Sequence, residues 1–106
     1  MTLVEITPPR FDTDTDITYA TANNFTGAPV YGRPACFLHT QAADKLETAI
    51  ALAAELDLRF LIFDAFRPSE AQWVLWNHTP DPEFLADPRR VSPHSRGVAV
   101  DLTLID

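Results

Sequence analysis

A histidine and an aspartate stand seven positions apart near the C-terminal end of the sequence, in Ser92-Pro-His94-Ser-Arg-Gly97-Val-Ala-Val-Asp101. Imidazole nitrogen and carboxylate oxygen are donors that a catalytic zinc commonly takes. Two donors on one ion, each about 2 Å from it, lie within about 4 Å of one another. The same stretch fully extended would span about 23–25 Å. The chain must therefore fold back for the pair to act together, and Gly97 supplies the permissive backbone for the bend. Asp101 also falls on the less apolar face of an apolar strand, where a carboxylate without a partner is costly to bury. The blander reading is an Asp held by backbone donors and a His on a surface loop. Spacing alone leaves both open.

A second candidate is Asp64-Ala-Phe-Arg67-Pro68, at the end of an apolar run. A guanidinium fixed where a core strand stops could meet a developing oxyanion or a carboxylate through charge-assisted hydrogen bonds. Equally, Asp64 and Arg67 could be a structural pair that stitches the strand end to its neighbours. The third is Tyr19-Ala-x-x-Asn-Asn-Phe-x-Gly27, in which Tyr19 is either a hydrogen-bonding wall of a pocket or a half-buried aromatic with its hydroxyl in water. Other residues carry weaker signals. Trp73 and Trp76 read as helix packing, His39 as a core-edge histidine, and His78 as a helix-closing cation. Cys36 has no C-x-x-C partner and reads as a small buried apolar residue. Asp12, Asp14 and Asp16 begin like a calcium loop, but Ile17 and Asn23 occupy the places that need Gly and Glu, so a solvated acidic loop is expected.

The elements that must position these groups can be read from periodicity. Residues 1–16 read as irregular, Ile17–Thr21 as a short strand, and Asn23–Gly27 as turn-rich, with strand pieces at Val30–Tyr31 and Cys36–His39. Leu46, Ala49, Ile50, Ala53 and Leu56 mark one face of a helix over about 41–57, with Thr40 as its N-cap. The run Phe60-Leu-Ile-Phe63 predicts a strand over Arg59–Phe66 buried on both faces. Ser69-x-x-Gln72 has the form of a capping box opening a second helix, Ser69–His78. A Pro-rich loop over Thr79–Pro93 leads to a last strand, Val98–Ile105, with Val98, Val100, Leu102 and Leu104 on one face. Helices and strands are mixed without βαβ alternation, so the expected class is α+β, with helices packed on a short, largely antiparallel sheet.

With 106 residues the chain is one domain, and its 46% hydrophobic content suffices for a core. A net charge of −7 disfavours nucleic acid and anionic membrane surfaces as partners. A lone cysteine precludes an intrachain disulfide. No apolar run approaches the roughly 18 residues of a membrane helix, and the N-terminus lacks a signal-peptide pattern. The expected location is therefore cytoplasmic.

Three stretches together resemble the zinc D-alanyl-D-alanine dipeptidases of the VanX type: Tyr19-Ala-x-x-Asn-Asn-Phe-Thr-Gly27, Phe63-Asp-Ala-Phe-Arg-Pro68 and Ser92-x-His-Ser-Arg-Gly-x-Ala-x-Asp-Leu-Thr-Leu104. Their order and intervals fit, and the resemblance extends over nearly all of the chain. It implies a metallopeptidase acting on the D-Ala-D-Ala dipeptide, a peptidoglycan precursor. It further implies His94 and Asp101 as zinc ligands, Arg67 as the residue that stabilises the tetrahedral intermediate, and Ser92 and Tyr19 as substrate contacts. The family's third ligand and its general base lie in a downstream Glu-x-x-His motif, which residues 1–106 do not contain. The resemblance therefore implies an N-terminal portion of a dipeptidase-like domain, to be completed by further sequence or by a complementing C-terminal chain; a homo-oligomer is the other association expected. The alternative is a non-catalytic remnant or associating subunit that binds metal or dipeptide without turnover.

Overall fold

The computed structural model describes residues 2–90 and 93–106. Its elements run β1 (Leu3–Glu5), β2 (Asp14–Thr15), a 3-10 turn (Thr18–Ala20), β3 (Phe37–His39), α1 (Thr40–Ala54), β4 (Arg59–Asp64), α2 (Ser69–His78) and β5 (Asp101–Ile105). β1 and β3 form an antiparallel pair, and a second sheet has the order β2-β4-β5. β2 runs parallel to β4 and β5 antiparallel to it. This is the α+β, largely antiparallel arrangement that the sequence predicts.

The core gathers Ile6, Phe11, Ile17, Cys36, Leu38, Ala43, Leu46, Ile62 and Ala65. Cys36 is buried as expected, and burial pushes its thiol up to about 11, beyond reach as a nucleophile at neutral pH. Residues 1–16 are less irregular than composition suggests, because β1 finds β3 and β2 finds β4 as long-range partners. Ile17–Thr21 is a 3-10 turn, not a strand: Ala20 N–H donates to Ile17 O and Thr21 N–H to Thr18 O. Val30–Tyr31 is not a strand either, since both amides donate to the single carbonyl of Tyr19, at 2.7 and 2.8 Å. Asp12 and Asp14 are joined by Arg59, which bonds both at 2.8 and 2.9 Å.

β3 passes into α1 without a loop, so the N-cap is His39 rather than Thr40; its Nδ1 accepts from Gln41 N–H at 3.3 Å. The helix stops at Ala54, short of the expected Asp57. Asp57 takes a left-handed φ of 57°, with Leu58 N–H donating to Ala53 O and Asp57 N–H to Ala54 O. That is a Schellman ending, with Asp where Gly is usual.

β4 is the central strand, but only one of its faces is closed: Ile62 and Asp64 are buried while Leu61 and Phe63 are half-buried. β5 starts at Asp101 rather than Val98, because the chain is still turning at Val98, whose N–H donates to Pro93 O. Leu102 and Leu104 pair with Ile62 and Phe60, yet they are 38% and 51% exposed. Among the described residues α1 packs on β1, β3 and β4 and makes no contact with β5, so the apolar face continues past its cover.

Candidate metal and dipeptide site

Register sets up the site. Phe60 to Ile62 pair in step with Leu104 to Leu102, and then Asp64 pairs with Asp101, which leaves Phe63 as an extra residue on β4. Such a bulge re-aims the side chains that follow it. Here it sets Asp64 and Asp101 side by side at the mouth of the sheet.

Two contacts, one backbone to backbone and one from the His94 ring to a carbonyl, join the histidine segment to the arginine segment. Arg67 N–H donates to His94 O at 2.9 Å, and the His94 ring nitrogen Nδ1 lies 2.7 Å from Ala65 O. His94 O also accepts from Gly97 N–H, closing a turn at a φ of 73°. Only glycine suits this position, because a Cβ would lie 3.0 Å from the backbone nitrogen of His39. The bend that the sequence requires between His94 and Asp101 is therefore present.

A carbonyl only accepts, so Nδ1 carries the proton and Nε2 presents its lone pair. Nε2 lies 3.3 Å from Asp101 Oδ1. Two electron-rich atoms at that separation need a proton or a cation between them. Without metal the proton serves. Burial pulls the His94 imidazole down, but bonding to Asp101 and to Ala65 O outweighs it, and the net direction is upward. Bonding to His94 likewise holds the Asp101 carboxyl below its usual range, against partial burial.

Asp64 lies within 4.8 Å of the same donor atoms and is the third member of the cluster, its second acid. It is not a free ligand. Its Oδ1 accepts from Tyr31 OH at 2.7 Å and Ala65 N–H at 3.0 Å; its Oδ2 accepts from Arg67 Nε at 3.1 Å and from a terminal Arg67 nitrogen at 2.8 Å. These four bonds fill the four lone-pair sites of a carboxylate. The structural pairing of Asp64 with Arg67 is thus present, and it leaves Arg67 facing the site: a terminal nitrogen lies 3.7 Å from Asp101 Oδ2.

Gln72 completes the clamp. Its Oε1 accepts from the other terminal Arg67 nitrogen at 2.8 Å, and its Nε2 donates to Ala86 O at 2.7 Å. The expected capping box is therefore absent. The N-cap of α2 is Pro68, which makes no side-chain cap, and Gln72 turns inward. Ala71, Gln72 and Leu75 form the buried stripe of α2, while Trp73 points outward at 41% exposure, so it does not pack as expected. A glutamine on the inward stripe of a helix was the available signal for this role; Tyr31, within an apparent strand piece, offered none.

Tyr19, Arg67, Phe84, Leu85, Ala86, Pro93, His94 and Asp101 line a cavity of about 280 Å³. The Tyr19 ring lies under the Arg67 guanidinium, 5.3 Å away, and burial pushes its hydroxyl up. Tyr19 is held by the turn that follows it. Asn24 Nδ2 donates to the carbonyls of Thr18, Thr21 and Ala28, and its Oδ1 accepts from the amide and hydroxyl of Thr26. Arg67, Tyr19, His94 and Asp101 thus meet in one cavity; Ser92 lies outside the described residues.

A family model described as D-ala-D-ala dipeptidase matches residues 2–106. The chain is 42% identical over 95 residues to the D-alanyl-D-alanine dipeptidase of Escherichia coli (strain K12). The match covers 90% of this chain and 49% of that protein, so the chain spans about half the length of the curated relative. With a match along nearly its whole length, the chain belongs to the D-ala-D-ala dipeptidase family.

Proposed function

We propose that the chain forms the metal-binding and charge-stabilising side of a zinc dipeptidase that hydrolyses D-alanyl-D-alanine. The observation that carries the reading is the open Nε2 of His94 facing Asp101 Oδ1 at 3.3 Å, beside a clamped arginine. A nitrogen and a carboxylate oxygen suit zinc, whose catalytic sites commonly have three protein ligands and a water. The third ligand and the general base come from a Glu-x-x-His segment in the same assembly, on the continuing sequence or a complementing chain. When bound, zinc supplies Lewis acidity toward the scissile carbonyl and makes a water nucleophilic near neutral pH.

The residues of this chain do the rest. Ala65 O fixes the tautomer and the ring plane of His94. Arg67, already committed to Asp64, needs no reorganisation to meet the negative charge that develops on the carbonyl oxygen. Tyr19 and Ser92 contact the dipeptide. The reaction belongs to the cytoplasm, where a free thiol such as Cys36 stays reduced.

The test is release of D-alanine from D-alanyl-D-alanine by the zinc-loaded protein, with intact mass verified on the same sample. Turnover lost in both His94→Ala and Asp101→Ala supports the reading. Turnover that survives both substitutions, or is unaffected by chelator, overturns it.

A further inference from the structure

We propose that Gln72 is a positioning residue that locks the Arg67 guanidinium and the cavity wall at Ala86 into one register through a single amide. The inference rests on the reading of Arg67 as the charge-stabilising group.

The amide orientation is fixed by its partners. A guanidinium has only donors, so the atom facing Arg67 is Oε1; a carbonyl only accepts, so the atom facing Ala86 is Nε2. Both bonds are short, at 2.8 and 2.7 Å, and Gln72 is 1% exposed, so water offers no substitute. Asp64 holds Nε and one terminal nitrogen of Arg67; Gln72 alone, among the described contacts, holds the other. Ala86 sits beside Phe84 and Leu85 in a loop that lines the same cavity as His94 and Asp101. Displacing the glutamine would therefore move the cation and the wall together, and a glutamine does what neither a glutamate nor an apolar isostere can do.

The experiment is nuclear magnetic resonance of the whole chain, reading guanidinium-proton exchange at Arg67 and the backbone amides of residues 81–90. Gln72→Met removes both bonds. It should speed exchange of the Arg67 terminal protons by about tenfold, the scale of one lost charge-assisted bond, and shift the loop amides. Gln72→Glu keeps an acceptor for Arg67, now charged, but has no donor for Ala86 O. It should retain the guanidinium protection while shifting only the loop. Unchanged exchange in a folded Gln72→Met chain overturns the proposal. If Gln72→Met does not fold, Gln72→Glu decides alone: guanidinium release, or an undisturbed loop, overturns it.

In the zinc-loaded dipeptidase, the same Gln72→Met change should lower kcat by about tenfold or more with KM little altered, since the arginine acts on developing charge. A selective rise in KM overturns the proposal. Failure of the dipeptidase reading shows separately: wild type would lack turnover while the coupled spectral changes persist, which leaves Gln72 as the positioning residue and removes only the reaction assigned to Arg67.

Discussion

Asp64 and Asp101 face each other across β4 and β5 at the step where the register slips by one residue. They share a neighbour, Arg67, yet they divide the work. Asp64 is buried and spends four lone pairs on Tyr31, Ala65 and Arg67. Asp101 is about half exposed and faces His94. One carboxylate holds the guanidinium, and the other, facing His94, is the one we propose for the metal. Without the bulge at Phe63, Asp64 would pair with Val100, and this division would not exist.

Arg67→Ala should destabilise the fold by about 3–5 kcal/mol, the usual cost of leaving one member of a buried ion pair without its partner. The ion pair is 7% and 2% exposed, so solvent offers little relief. Urea unfolding checks this. Asp64→Asn, which keeps an acceptor oxygen for the guanidinium, should cost less; equal loss in both variants would contradict the clamp.

Gly97→Ala should cost about 1–3 kcal/mol, because its φ of 73° disfavours any Cβ and the added methyl meets the His39 backbone. The turn carries His94, so zinc affinity should fall together with the melting temperature. Calorimetric titration and a thermal melt on the same sample read both effects.

Asn24→Ala removes five hydrogen bonds that tie residues 18–28 together. A loss of about 1–3 kcal/mol is expected, toward the upper end for a partly buried amide. Tyr19 should become more mobile, seen as narrowed ring resonances, while His94 keeps its place.

Metal-free stability should depend on pH through the His94–Asp101 pair. The His94 pKa is raised from 6.5, so its contribution is complete below that value and is lost as pH rises through the higher folded value. The Asp101 pKa is lowered from 3.8, so its contribution is complete above that value and is lost as pH falls through the lower folded value. In chelator, the urea midpoint should hold across the interval between those ordinary values and decline on the alkaline side, and His94→Ala should abolish the alkaline decline.

Much of this site was legible in the sequence. Spacing alone left bland readings of Arg67, His94, Asp101 and Tyr19 open, and the three motifs of the resemblance singled them out; all four line one cavity. What was not legible depended on long-range pairing or on special backbone. The left-handed Asp57 ended α1 without the glycine that signals such a stop. β1 and β2 are strands because β3 and β4 lie beside them, not because three- and two-residue segments prefer to be extended. Ser69-x-x-Gln72 looked like a cap because local spacing cannot show that a buried guanidinium competes for the same glutamine.

The central claim is that a zinc ion belongs between His94 and Asp101, beneath Arg67. Anomalous diffraction at the zinc edge, from crystals of the protein grown with zinc, tests it most directly. The account predicts a peak about 2.0–2.2 Å from His94 Nε2 and from an Asp101 oxygen, with Asp64 still bonded to Arg67. A peak held by Asp64, or one remote from His94, would contradict it.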